Sequence, residues 1–362
     1  MTRNISLKKT LMKKEIADSQ PFVLVVHGAE IFDSGEAAWL MKMLRPLRTI
    51  VAGVMARTAA EESGLPVEFD GSPPSRILKA LDSPAVLANH AKTAESGKIF
   101  GAIIASRLGE RGLVQVECSD RTIIVWNKGD SALASRISAM IGYPVSSLAG
   151  TTHPAENERI IRGCLPGEPV YIDGIIIGQA TGNTVIVRRT GASLAAVSGL
   201  VKKEHGFAKL DKRGAIDLSS AWCKSGPIRR ASPGLQSGNA PATGRAIVID
   251  HCGHELYTLL TPDCCGILSI GDDTTSVCGH ICTHLGIPVL GIIDGDRDTL
   301  LPSAFPKGSV VLLVQGERDD DIGEEVARMA GPGPVDWDRW VEWVIGTLGR
   351  RVRIAIDTRE RE

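Results

Sequence analysis

The chain has 362 residues, 43% of them apolar, which is material for more than one hydrophobic core. Its 41 basic and 42 acidic residues nearly cancel, so no bulk field draws it to nucleic acid, and aromatics at 4% leave few stacking surfaces for single strands. No apolar run approaches the roughly 18 residues of a membrane span. The start, MTRNISLKKTLMKKE, has no apolar signal core, and the eight irregularly spaced Cys read as reduced thiols, so the expected setting is the cytoplasm.

In chain order, the apolar run Phe22 to Val26 leads into His27-Gly28 and a helical stretch, Ala37 to Leu47. Thr49 to Met55 and Ala85 to Ala88 repeat the pattern, the latter ending in Asn89-His90. Short apolar runs between helices are the signature of a parallel sheet buried on both faces. Ile99 to Ala105 and Thr122 to Trp126 are read as further strands of this lobe, closed by a helix from Ser131 to Ile141.

From Gly163 the texture becomes Val/Ile-rich and turn-broken, with Asp173-Gly174 and Gly182-Asn183 as hairpin signals. Lys224 to Gly244 has linker composition. Strand-like runs resume at Ala246 to Asp250, Ile267 to Ile270, Ile287 to Ile293 and Val310 to Val314, with a helical stretch after Ile270. Trp337, Trp340, Val344 and Leu348 recur at helical spacing, which predicts an amphipathic C-terminal helix. The expected architecture is α/β: two Rossmann-like parallel-sheet lobes, 20–150 and 240–350, around a small antiparallel β insert at 151–235. The alternative is one continuous sheet with a β excursion.

Two acidic loops follow predicted strands: Gly271-Asp272-Asp273-Thr274-Thr275 and Asp294-Gly295-Asp296-Arg297-Asp298. Carboxyl ends of adjacent parallel strands form a crevice, so Asp272, Asp273, Asp294 and Asp296 are candidate ligands. Converging carboxylates repel unless a cation joins them, and hard oxygen donors suit Mg²⁺ shared with a substrate phosphate. Thr274 and Thr275, at a helix start, are candidates for holding the anion. The competing structural reading is that Asp caps helices and makes turns wherever strands end.

In the first lobe, His27, His90 and Lys92 sit just past strand ends and are candidate acid–base groups, against the commoner role of a hydrogen-bonded structural His. His251, Cys252, His254, Cys264, Cys265, Cys278, His280, Cys282 and His284 are a dense set of soft ligands. No CxxC pair is present, and packing explains buried Cys better than a structural zinc. The run Glu317 to Asp321 reads as a solvated loop. Lys202, Lys203, Lys209, Arg229 and Arg230 are cations suited to a phosphate or an RNA backbone. P-loop, HExxH, GxSxG and strand-linked GxGxxG signatures are absent.

The segments HGAEIFDSG, ANHAKTAESGKIFG, VYIDGIIIGQATG, KKEHGFAKLD, GDDTT and GIPVLGIIDGDRD together resemble an archaeal family met in methanogens, domain of unknown function 2117. The resemblance runs from about His27 to Trp343 and implies an archaeal, cytoplasmic protein without supplying an activity. The acidic lobe is also loosely similar to topoisomerase-primase domains, although the Asp272 to Asp294 spacing is short and no Glu follows the Ile270 strand. The GDDTT loop likewise resembles the GGDGT loop of NAD and lipid kinases, with Asp272 in place of the second glycine. Two functional classes follow: a Mg²⁺-dependent enzyme acting on a phosphorylated small molecule or nucleotide, and a non-catalytic ligand-binding or regulatory protein using the same crevices.

Overall fold

The computed structural model describes residues 20–53, 56–150, 157–173, 175–191, 193–212, 216–218, 221, 223–226, 229–234, 240–294 and 305–359. The fold is mixed α/β, with two parallel-rich sheets and two antiparallel ones. The chain divides into two compact units, 1–56 with 65–151 and 57–64 with 152–362. The β-rich segment and the C-terminal sheet therefore belong to one unit, and the helix Arg57–Glu62 is grouped with them.

In the first unit, β1 (Val23–His27), β2 (Arg48–Ala52), β3 (Glu68–Asp70), β4 (Ala85–Asn89) and β5 (Leu113–Glu117) are parallel. The β6 strand (Thr122–Trp126) runs antiparallel to β5, and β7 (Val145–Leu148) follows β6 in parallel. The order β3-β2-β1-β4-β5-β6-β7 reverses between β1 and β4. Register aligns His27 with Ala52 on one side and with Asn89 on the other, so the candidate residues of this unit leave adjacent strand ends.

Ile99 to Ala105, expected as a strand, lies inside the helix Ala94–Leu108, which Thr93 and Ser96 start with a capping box. Its Gly97 and Gly101 lie against a buried polar chain. Gln115 donates to Asn89 Oδ1 and to the Gly97 carbonyl, Trp126 donates to Gln115, and Asn89 donates to Glu117. A Cβ on Gly97 would lie 2.3 Å from Glu117 Oε2, and one on Gly101 would lie 1.9 Å from Gln115 Oε1. Glycine is therefore needed at both positions because the helix backbone closes directly over polar side chains.

In the second unit, β8 (Glu158–Arg162), β11 (Thr184–Thr190) and β12 (Ser193–Ser198) form one antiparallel sheet. A second contains β9 (Pro169–Ile172), β10 (Ile175–Ala180), β13 (Leu200–Lys202) and β14 (Cys223–Ser225). Ile172 pairs with Ile175 across Asp173-Gly174, as the hairpin signal requires. Gly182-Asn183 is not a hairpin: there the chain passes from one sheet to the other, since β10 and β11 do not pair. The helix Glu204–Lys212 buries Phe207 and Leu210 in the core of these strands.

The last sheet has the order β19-β15-β16-β17-β18-β20. Its strands β15 (Thr243–Asp250), β16 (Cys264–Ile270), β17 (Val289–Ile293) and β18 (Val310–Val314) are parallel and consecutive. Two short antiparallel edges flank them, β19 (Val335–Asp336) and β20 (Val352–Asp357), the latter following the expected terminal helix Trp337–Leu348. Alternate residues feed opposite faces. Leu268, Leu290, Ile292 and Leu312 pack on the helices Asp319–Ala330 and Trp337–Leu348, whereas Ile267, Val289, Ile293 and Val311 pack on the helix Asp272–Leu285. Cys278 and Cys282 lie fully buried in that second core, where thiols behave as small apolar groups. No helix among the described residues is long and apolar enough to cross a membrane.

Candidate functional site

At the carboxyl edge of the last sheet, Asp272 opens the helix after β16, Asp294 follows β17, and Asp319 opens the helix after β18. Those two helices pack on opposite faces, so their amino ends flank the end of β17. Carboxylates at helix amino ends are favoured by the peptide dipoles, which offsets part of the cost of crowding them. Asp272 and Asp319 are 9% and 0% exposed. Burial pushes the Asp272 carboxyl well above the ordinary carboxylate range, and a hydrogen bond shared with Asp294 adds to the shift. Asp319 is raised too, by burial, although Lys209 opposes the shift.

The other side of the site comes from the β-rich segment and the end of β15. Lys209 Nζ lies 3.3 Å from both carboxylate oxygens of Asp319, 3.6 Å from Asp320 Oδ1 and 3.1 Å from His251 Nε2. His205, one helical turn before Lys209, places Nε2 3.8 Å from Asp294 Oδ2. The other nitrogen of His251, Nδ1, bonds Asp250, and its Nε2 is 3.4 Å from Asp320. His251 has a left-handed backbone, φ 54°, and Gly271 at φ 97° passes so close that a Cβ there would lie 3.0 Å from His251 Nε2. A left-handed non-glycine residue at a strand end is a strained position of the kind that aims a side chain. Burial would raise Asp320, but Lys209, His251, Arg318 and His205 together hold it below the usual range.

A cavity of about 20 Å³, room for roughly one water or a small ion, is lined by Ile176, Lys203, His205, Lys209, His251, Gly271, Asp272 and Asp273, among others. His205, Asp294 and Asp319 offer ligand atoms all within 4.8 Å of one another, as do His251, Asp319 and Asp320. Oxygen-rich sets with one imidazole suit Mg²⁺ or Mn²⁺.

The sequence candidates divide accordingly. Asp272 and Asp294 come together. Asp273 turns to the β-rich segment, where it accepts from the Ile176 amide at 3.0 Å, and burial pushes it up to about 6. Asp296 lies outside the described residues. The Thr275 hydroxyl is fully buried and pairs with Ser269 at 2.9 Å, and its amide donates to the Gly271 carbonyl, so neither group is aimed into the cavity. Thr274 is 3% exposed and is not among the cavity-lining residues. Asp319 and Asp320, read as a solvated loop, are instead part of the site; the signal was their position after the next parallel strand. Lys209, one of the candidate phosphate cations, is part of the site, and His205 was detectable only by its place one helical turn before it.

In the first unit, His27 donates from Nδ1 to the Ala52 carbonyl at 2.9 Å and stacks on Phe100, ring centroids 5.0 Å apart. His90 Nδ1 meets Glu36 Oε2 at 2.7 Å, and Lys92 lies two residues on, half-buried. The buried Glu117 accepts from the Ala91 and Ser119 amides and so fixes the His90 to Lys92 turn. A cavity of about 300 Å³ in this unit opens at the other strand ends, by Ala85, Arg111, Leu113 and Asp130, and contains none of these groups.

Residues 24–330 match the family described as an uncharacterized protein conserved in archaea, DUF2117. The chain belongs to this family. An uncharacterized protein of Methanocaldococcus jannaschii is similar to it, 32% identical over 325 residues, which cover 83% of this chain and 88% of that protein. The DUF2117 match spans both units and includes every residue of the acidic site.

Proposed function

We propose that this DUF2117 protein is a Mg²⁺- or Mn²⁺-dependent enzyme that acts on a phosphorylated small molecule or nucleotide in the cytoplasm, on two Rossmann-like lobes. The observation that carries this reading is the convergence of Asp272, Asp294 and Asp319 from successive strand ends beside Lys203, Lys209 and His205. The carboxylates with His205 would hold the ion, and the lysines would meet phosphate oxygens. When bound, the ion supplies Lewis-acid neutralisation of phosphate charge. The residues present fit such an ion. Among the described residues, the fixed charges set against five carboxylates, Asp272, Asp273, Asp294, Asp319 and Asp320, include those of Lys203, Lys209 and Arg318.

The small cavity favours a second reading, a protein that binds metal without turnover, because an ion fits it better than a phosphoester does. Phosphate release from a panel of nucleotides and phosphomonoesters, with Mg²⁺ or Mn²⁺, separates the two. The enzyme reading expects turnover that EDTA abolishes and that Asp294→Asn lacks. Metal binding without turnover of any panel member supports the second reading.

A further inference from the structure

We propose that Lys209 is the resident cation of the acidic pocket, its ammonium standing where a divalent ion would bind, so that metal binding and the inward position of Lys209 exclude each other. The proposal rests on the metal reading above and adds a regulation to it through Asp319, which belongs both to the set with His205 and Asp294 and to the set that Lys209 fills. The three groups whose ligand atoms cluster within 4.8 Å, His251, Asp319 and Asp320, are the same three that Lys209 Nζ touches, at 3.1 to 3.6 Å. One ammonium therefore fills the centre of a donor set of the kind that holds a metal. Its side chain is only 13% exposed and the Asp319 side chain is 0% exposed, so the contact is not a solvated surface pair.

The helix that presents Lys209 is amphipathic in a way that permits the exchange. Phe207 and Leu210 anchor it in the core of the β-rich segment, while His205 and Lys209 reach the acidic strand ends through polar contacts. Withdrawing Lys209 therefore leaves the Phe207 and Leu210 anchor in place. Lysine has a long flexible stem with four rotatable bonds, so the ammonium can leave without the helix moving. A divalent ion carries twice the charge and takes several oxygen ligands at once, and it outcompetes an ammonium for Asp319 and Asp320. By linkage, whatever draws Lys209 outward, such as a substrate phosphate, tightens metal binding by the same factor.

Two measurements test this. Calorimetric titration with Mn²⁺ at neutral pH compares wild type with Lys209→Met, and acetylation with a limiting amine-reactive reagent, read by mass spectrometry, follows Lys209 in wild type with and without saturating Mn²⁺. The expected results are at least about tenfold tighter Mn²⁺ binding by the variant and a several-fold rise in Lys209 acetylation on adding Mn²⁺. Equal or weaker binding by the variant, or a Lys209 that stays protected with metal bound, overturns the proposal while leaving the metal reading intact. Failure of both proteins to bind Mn²⁺ overturns both.

Discussion

Replacing Asp272 by Asn removes a charge without changing shape, and the stability it adds to the metal-free protein should be largely cancelled once metal is bound. The Asp272 carboxyl rises from 3.8 to about 7; at about 1.36 kcal/mol per pH unit, keeping it ionised at pH 8 costs on the order of 4 kcal/mol. Part of that rise comes from the hydrogen bond and charge of Asp294, so the part assignable to burial of Asp272 alone is roughly 2–4 kcal/mol. The sign follows from proton counting. Between about pH 4 and 7 the folded state holds a proton that the unfolded state has released, so stability falls as pH rises through that window and stays low above it. Without metal, Asp272→Asn should therefore match wild type near pH 4 and exceed it by roughly 2–4 kcal/mol at pH 8. With Mn²⁺ at about 100 times its dissociation constant, wild type should gain about 2.7 kcal/mol, and the variant much less. Urea unfolding at both pH values, with and without Mn²⁺, reads all four quantities. Equal destabilisation by Asp272→Asn at pH 4 and pH 8, with no response to Mn²⁺ in either protein, would refute the reasoning.

Asp273→Ala should cost about 2 kcal/mol by orphaning the buried Ile176 amide, and hydrogen exchange should show that amide opening faster. Gly97→Ala should cost about 1–3 kcal/mol, measured by urea unfolding, because the new Cβ lies 2.3 Å from Glu117 Oε2. Deleting His284 as His284→Ala should destabilise by about 1–3 kcal/mol, because the fully buried imidazole lies 3.1 Å from Glu61 and 3.4 Å from Glu62, which are left with Arg57 and Arg229 as ion-pair partners once it is gone; thermal melts compare the variant with wild type.

Much of the fold was legible because buried parallel strands are written as contiguous apolar runs, and β1, β4, β16, β17 and β18 all fell where such runs occur. Ile99 to Ala105 misled for the same reason: a short apolar run cannot be told from a buried helical stretch, and here the neighbours Gly97 and Gly101 serve helix packing and not a turn. The β20 strand, VRIAID with charges interspersed, is an antiparallel edge and carries a weaker signal than a buried strand. At the site, Asp272 and Asp294 were local readings of strand ends. Asp319 was not, since its charge partner Lys209 is 110 residues away in sequence, and a run of acidic residues looks solvated until that distant partner is placed.

The most direct test of the central claim is anomalous diffraction from crystals grown with Mn²⁺, which locates the ion without reference to activity. The account predicts a strong peak among Asp272, Asp294 and Asp319, within about 2.0–2.6 Å of their oxygens, with His205 turned toward it. Diffraction at saturating Mn²⁺ that shows no peak there, with Lys209 still seated against Asp319, would contradict it.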